Sequence, residues 1–277
     1  MTTWFITGAS RGLGREMVEQ ALAQGDRVAA TLRRPEQLDD LAAEYGDRLW
    51  RASLDVTDLA QLEDVVARVF AAHERIDVVV SNAGLGVFGA AEDITDQQVE
   101  NMIATNLTGS IQFARRVVPH LREQGGGVFV QLSSQGGHIT FPGFAIYHAT
   151  KWGVEGYFES MATEIAPFGI RTMLVEPGLV PTSFYAAAER VPPSAPYRGG
   201  PADQPPVPIE EMVATQSGTA HAVLAAATSD EPPLRLLINS DAYEAVTAGL
   251  RKRLADLESR RDTAYAADAE YPKANDR

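Results

Sequence analysis

Trp4-Phe5-Ile6-Thr7-Gly8-Ala9-Ser10-Arg11-Gly12-Leu13-Gly14 reads as a β-strand running into a glycine turn, and the helical pattern from about Leu13 to Gln24 follows it directly. Glycines in such a turn remove the Cβ atoms that would hold a pyrophosphate away from the backbone. The helix N-terminus then offers partly positive N–H groups to the same anion. The spacing through Gly8, Gly12 and Gly14 is G-x-x-x-G-x-G rather than G-x-G-x-x-G. Taken alone, it describes a tight turn without a ligand as well as it describes a nucleotide site. Its place after the first strand favours the nucleotide.

Outward from this unit, short β-rich runs alternate with amphipathic helical stretches. Strands are expected at Arg27 to Leu32, Leu49 to Leu54, Ile76 to Ser81, Val128 to Leu132, Ile170 to Val175 and Leu234 to Ile238. Helices are expected at Pro35 to Tyr45, Asp58 to His73, Thr95 to Arg122 (as two helices meeting near Asn106), Tyr147 to Ala166 and Ile209 to Ala227, with a charged helix after the Leu234 to Ile238 strand running to about Arg261. Strands that are apolar almost throughout need cover on both faces, which is the mark of a parallel sheet between helices. The order implies an α/β chain, a single doubly wound domain over residues 1–277.

Two stretches break the pattern. Residues 184–208 hold seven of the 16 prolines, a density that disfavours helix and central strand, and they are expected to form a long loop over the substrate. Residues 265–277 are polar and are expected to fray.

The composition narrows the function. With 277 residues, 45% hydrophobic and 22% charged, the chain can bury a large core. A formal net charge of −13 repels phosphate backbones and anionic lipid, so neither nucleic acid nor a membrane surface is expected as partner. Zero cysteines exclude disulfides and thiol chemistry. Met1 to Gly8 lacks a basic n-region and no apolar run is long enough to span a bilayer, so a cytoplasmic protein is expected.

The second expected strand ends at Arg33-Arg34, about 20 residues beyond the glycines, where an acidic side chain would pair with the ribose of NAD. A guanidinium instead grips a 2′-phosphate through forked, charge-assisted hydrogen bonds, and Arg11 is within the turn itself. These arginines favour NADP(H) over NAD(H), against the reading that they are ordinary solvated charges.

With Tyr147-His148-Ala149-Thr150-Lys151 the sequence resembles the short-chain dehydrogenase/reductases, which combine a T-G-x-x-x-G-x-G turn with Y-x-x-x-K. The likeness runs from Thr7 to about Thr182 through Asp55-Val56, Asn82-Ala83-Gly84, Asn106, Ser133-Ser134 and Pro177-Gly178, in order. It implies a Rossmann-type fold and a set of roles. Gly8, Ser10, Arg11, Gly12, Leu13, Gly14 and Arg33 would hold the phosphates. Asp55 and Val56 would edge the adenine pocket, and Asn82, Ala83 and Gly84 would shape the floor. Asn106 would hold a kinked helix and a proton-relaying water. Ser134, 13 residues before Tyr147, is chosen over Ser133 as the catalytic serine. Pro177, Gly178, Val180 and Thr182 would line the nicotinamide, with Thr182 on its carboxamide, and no metal is required.

The residues themselves support this chemistry. Tyr147 and Lys151 share a helical face, and a neighbouring ammonium is expected to lower the phenol's pKa. The Ser134 hydroxyl can bond a substrate oxygen that gains charge as hydride arrives. An exposed i,i+4 pair is the plain alternative for Tyr147 and Lys151, as a helix cap is for Asn106. His138 and His148 are not expected to be catalytic, because Tyr147 fills that role.

Leu85, Val87, Phe88, Phe141, Phe144, Phe184 and Tyr185 are expected to divide between core packing and an apolar cleft. The substrate expected is a hydrophobic ketone or aldehyde, or its alcohol in reverse. An NAD-linked alcohol dehydrogenase and a non-catalytic NADP-binding regulatory protein are the alternatives. The family likeness also implies a homodimer or homotetramer, with Phe113, Val117, Trp152 and Phe158 at a twofold contact.

Overall fold

The computed structural model describes residues 1–205, 207–266 and 268. In chain order it contains β1 (Thr3–Thr7), α1 (Gly12–Ala23), β2 (Arg27–Leu32), α2 (Asp39–Tyr45), β3 (Leu49–Ser53), α3 (Leu59–Ala72), β4 (Val78–Ser81) and β5 (Val87–Phe88). Then come α4 (Asp96–Ile103), α5 (Ser110–Glu123), β6 (Gly127–Leu132), α6 (Ala145–Ile165), β7 (Ile170–Pro177), α7 (Ser183–Ala187) and β8 (Glu189–Arg190). The series ends with α8 (Gln216–Ala227), β9 (Arg235–Ile238), α9 (Ser240–Ser259) and α10 (Arg261–Ala266).

Among the described residues, seven strands pair in parallel in the order β3-β2-β1-β4-β6-β7-β9. Side chains along each strand alternate between two cores. Trp4, Ile6, Val80, Val130 and Val175 pack with Met17, Leu22 and Val223 of α1 and α8 on one face. Phe5, Val79, Phe129 and Leu174 pack with Leu62, Phe113 and Phe158 of α3, α5 and α6 on the other. Continuous apolar strands are thus required, because each face has its own layer of helices. Strand order reverses between β1 and β4, and the crevice outside their carboxyl ends is where an open α/β sheet binds ligands.

The expected junction near Asn106 is a π-helical segment, Ala104–Gly109, between α4 and α5. The Asn106 amide donates to the Leu85 carbonyl and accepts from the Leu85 N–H, both at 2.9 Å. It thereby ties the widened turn to the chain leaving β4.

Four expectations are corrected. The proline-rich stretch is not all loop: α7 precedes its prolines, and β8 pairs with β5 through Val87↔Glu189 and Phe88↔Arg190. Both elements fit between Thr182 and Pro192, where proline is missing from the sequence. The following helix begins at Gln216, with only a single 3-10 turn at Ile209–Glu211. Tyr265 and Ala266 close α10 and Asp268 lies in a turn, while 267 and 269–277 fall outside the described residues. Phe113, Val117 and Phe158 are buried in the chain's own core, so of the four residues assigned to a twofold contact only Trp152 is exposed. Even there, the Arg253 guanidinium of α9 stacks 4.5 Å from the ring centroid. Among the described residues, no helix is long and apolar enough to cross a membrane.

Candidate active site

The glycine turn adopts backbone angles that side chains resist. Gly8 has φ +67° and Gly12 has φ +58°, in the left-handed region that glycine occupies at little cost. A Cβ on Gly8 would also lie 2.8 Å from Ala83 Cα. Asn82 braces the turn from β4, its Nδ2 donating to the carbonyls of Thr7 and Gly8 at 3.0 and 3.1 Å. The Thr7 hydroxyl accepts the Asn82 N–H at 3.0 Å. Among the described residues no side chain caps the start of α1 and no acidic residue sits in its first turn, so its N–H groups keep their attraction for an anion.

This turn opens onto a cavity of about 510 Å³ at the carboxyl ends of the strands. Gly8, Ser10, Arg11, Gly12, Leu13, Arg33, Asp55, Val56, Asn82, Ala83 and Gly84 line one part of it. Asn106, Ser134, Tyr147, Lys151, Pro177, Gly178, Val180 and Thr182 line the rest. Gly14 does not reach the cavity: a Cβ there would collide with the Gly8 carbonyl and Asn82 Nδ2, so its work is close packing of α1 against the turn. A side recess of about 390 Å³ is walled by Ser10, Arg11, Arg33, Arg34 and Gln37. Asp55, in the wall of the main cavity, keeps a lowered carboxyl pKa despite burial, because Thr57 donates to it through both N–H and hydroxyl and Arg33 adds its charge.

Tyr147 stands in the first turns of α6 with Lys151 one turn on, as the i,i+4 spacing requires. Lys151 Nζ lies 5.7 Å from the Tyr147 ring centroid and donates to the Leu132 carbonyl at 2.9 Å. The direction expected for the phenol is reversed. Burial raises the Tyr147 pKa above its ordinary value, and the Ser134 hydroxyl beside it offsets only part of that. Lys151 is itself buried, and burial lowers its amine to about 8. Desolvation of the phenol, which penalises its charged form, sets the direction.

The far wall is aromatic. Phe88 lies 4.3 Å from Phe144, 5.9 Å from Tyr147, 6.2 Å from Phe184 and 6.4 Å from Tyr185, centroid to centroid. Leu85, Phe184 and Tyr185 face the cavity, whereas Val87 and Phe88 are buried and Phe141 is partly exposed. The division between cleft and core falls within this set, as expected. The β5–β8 pairing holds Phe184 and Tyr185 over the site.

Several contributors escaped the sequence reading. Ser183 lines the cavity close to Gly12, and its buried hydroxyl has no hydrogen-bond partner among the described residues. Asp241 of α9 accepts the Leu179 N–H at 2.8 Å and packs against Gly178, so the C-terminal helix positions the Pro177–Leu179 wall. His138, Glu155 and Glu176 bring three ligand-type atoms within 4.8 Å of one another. The cation among them is the Arg235 guanidinium, 3.1 Å from Glu155 and 3.3 Å from Glu176.

Comparison with known proteins follows the same outline. The short chain dehydrogenase family profile matches residues 2–191. "Oxidoreductase BOA17" of Botryotinia fuckeliana is 40% identical over 246 residues, covering 87% of this chain and 90% of that protein. The crystal structure of a short-chain dehydrogenase from Streptomyces avermitilis superposes with a TM-score of 0.87 at 35% identity, covering 97% of this chain and 100% of that one. A serine dehydrogenase in its closed form, complexed with NADP+, superposes with a TM-score of 0.73 at 29% identity over 86% and 94% of the two chains. Matched in sequence over more than half its length and in fold over nearly all of it, this chain belongs to the short-chain dehydrogenase/reductase family of oxidoreductases.

Proposed function

We propose that the chain is an NADPH-dependent reductase of a hydrophobic ketone or aldehyde, able to run in reverse on the alcohol. The observation that carries this reading is one cavity with three unlike ends: an arginine-walled recess, a Ser134–Tyr147–Lys151 cluster, and an aromatic wall around Phe88.

The residues present fit a dinucleotide. Gly8, Ser10, Gly12 and Leu13 would hold the pyrophosphate, and the Ser183 hydroxyl, without a hydrogen-bond partner among the described residues, faces the same turn. Arg11, Arg33 and Arg34 would hold a 2′-phosphate, the feature that favours NADP(H), in keeping with the NADP+ complex of the serine dehydrogenase. Asp55 and Val56 would edge the adenine, Asn82 to Gly84 the floor, and Lys151 a ribose. Pro177, Gly178 and Val180 would line the nicotinamide. The Thr182 hydroxyl accepts the Phe184 N–H at 3.2 Å and keeps its own hydrogen to donate to the carboxamide. When bound, the nicotinamide supplies or accepts the hydride.

The protein's part is to orient and to move a proton. Ser134 donates to the substrate oxygen, favouring the charge that develops there. Tyr147, its pKa raised by burial, is protonated at neutral pH and is therefore suited to give its proton to that oxygen, the requirement of the reductive direction. Lys151 stands behind it as the local positive charge, and the aromatic wall excludes water while receiving an apolar substituent. The test is NADPH consumption with a panel of aryl and alicyclic ketones, alongside dissociation constants for NADPH and NADH. Turnover of aryl ketones with tighter NADPH binding is expected. Equal or tighter NADH binding would point to an NAD-linked dehydrogenase, and tight NADPH binding without turnover of any panel member would point to a regulatory binder.

A further inference from the structure

Glu155 lies one turn beyond Lys151 on α6, buried, outside the cofactor cavity and unused by the proton transfer described above. A buried amine with a single backbone partner, the Leu132 carbonyl, has little of its own to hold a proton, since burial penalises the charged form. Among the described residues no carboxylate is ion-paired with Lys151, and Glu155 on the next turn opposes its desolvation by charge attraction.

Glu155 is in turn surrounded by groups from β9, β7 and the segment after β6. From β9, the Arg235 Nε contacts Glu155 at 3.1 Å and Glu176 at 3.3 Å, while its Nη2 contacts Glu159 at 3.0 Å. From β7 comes Glu176, whose carboxylate meets His138 Nε2 at 3.0 Å. His138 follows β6, and its carbonyl accepts Arg253 Nη2 of α9 at 2.7 Å. The Ser133 hydroxyl faces the Glu155 carboxylate across Gly137. Glu155 and Glu176 thus share the Arg235 Nε with His138 beside them, while Glu159 takes the exposed side of the guanidinium, and Glu155 is the carboxylate whose charge reaches the Lys151 amine. Burial raises the Glu155 pKa and Glu176 adds to this, while Ser133, His138 and Arg235 work against it.

We propose that Glu155 is a positioning residue for the proton transfer: its carboxylate, anchored by Arg235 and the His138–Glu176 pair, keeps the Lys151 amine charged through the pH range of turnover. The inference rests on the reading of Tyr147 and Lys151 given under the proposed function. A neutral Glu155 leaves Lys151 to lose its proton at lower pH, and the enzyme then loses the positive charge beside the phenol and the ribose.

The experiment is the pH profile of kcat/KM for an aryl ketone between pH 6 and 10, together with NADPH affinity from cofactor fluorescence over the same range. In Glu155→Gln the alkaline limb is expected to move about one pH unit lower, roughly a tenfold change in the charged fraction of Lys151 at a given pH on that limb. Binding is expected to weaken from correspondingly lower pH, with activity near pH 6.5 little changed. Glu155→Asp should restore most of the shift, and Glu159→Gln, at an exposed position, should overlay the wild type. If Glu155→Gln does not fold, Arg235→Gln, which withdraws the cation that keeps Glu155 ionised, should move the limb in the same direction. Folded Glu155→Gln with both profiles superimposed on the wild type overturns the proposal. An active Tyr147→Phe variant overturns the underlying reading instead, and the two failures are distinguishable.

Discussion

The backbone N–H of Phe141 donates to Nε2 of His148 at 2.8 Å, which leaves Nδ1 as the protonated nitrogen facing the Gly136 carbonyl at 2.9 Å. One neutral imidazole therefore pins the segment between Ser134 and Tyr147 at two points. His148 acts on the site by holding that loop, as a satisfied buried histidine.

A pH dependence follows. Burial lowers the folded-state pKa of His148 below its ordinary 6.5. Above about 6.5 both folded and unfolded chains are neutral there, and its contribution to stability is complete; as pH falls through 6.5 toward the folded value, the unfolded chain takes the proton first and stability is lost. His138 has the opposite sign, because Glu176 raises its pKa. Its contribution is complete below 6.5 and disappears as pH rises through the raised folded value. Melting temperatures from pH 5 to 9 should show a shallower acid-side slope in His148→Gln and a shallower alkaline-side slope in His138→Gln. Slopes identical to the wild type in both variants would refute the assignment.

Gly14→Ala is predicted to cost about 1–3 kcal/mol or more, the usual range for overpacking, because the new methyl meets the Gly8 carbonyl and the Asn82 amide. Urea denaturation measures the loss. NADPH affinity should fall with it, since the turn that must yield is the one lining the cavity. A change below about 0.5 kcal/mol, the level of neutral surface substitutions, would show that the turn accommodates the methyl.

Arg33→Ala is predicted to weaken NADPH binding and leave NADH binding nearly unchanged. Hydrogen bonds to charged groups contribute about 1.5–3 kcal/mol, so the NADPH loss should be on the order of ten- to a hundredfold. Isothermal titration with both cofactors decides it, and parallel losses for the two would remove Arg33 from the phosphate recess.

Phe158→Ala separates core from interface. The ring is fully buried and stacks on Phe129 with centroids 5.5 Å apart, so a loss of about 3–5 kcal/mol is predicted. Its sedimentation behaviour should match that of the wild type under conditions where both are folded. An altered assembly state with unaltered stability would return Phe158 to a subunit contact.

These cases show where sequence was a sufficient guide. The parallel sheet was legible because its strands are apolar on both faces, and the junction at Asn106 because the family resemblance implies a kinked helix there. Tyr147 and Lys151 were legible because a helix converts a separation of four into proximity. The His138–Glu155–Glu176–Arg235 cluster was not, since its members come from four separate segments brought together by the β6–β7 and β7–β9 pairings and by α6. The Tyr147 pKa direction was missed for a related reason: a charge can be read from sequence, while the loss of solvent that opposes it depends on the assembled aromatic wall. Phe113, Val117 and Phe158 look alike in sequence whether they face a partner or their own sheet.

The central claim is that the Tyr147 phenol carries the proton to the substrate oxygen. The direct test is turnover of an aryl ketone by Tyr147→Phe with NADPH at pH 7, with NADPH binding measured on the same preparation. General acid–base contributions of about a hundred- to ten-thousandfold are usual; a loss of that size with cofactor binding retained is the result predicted here. A folded, NADPH-binding Tyr147→Phe protein that reduces the ketone at the wild-type rate would contradict it.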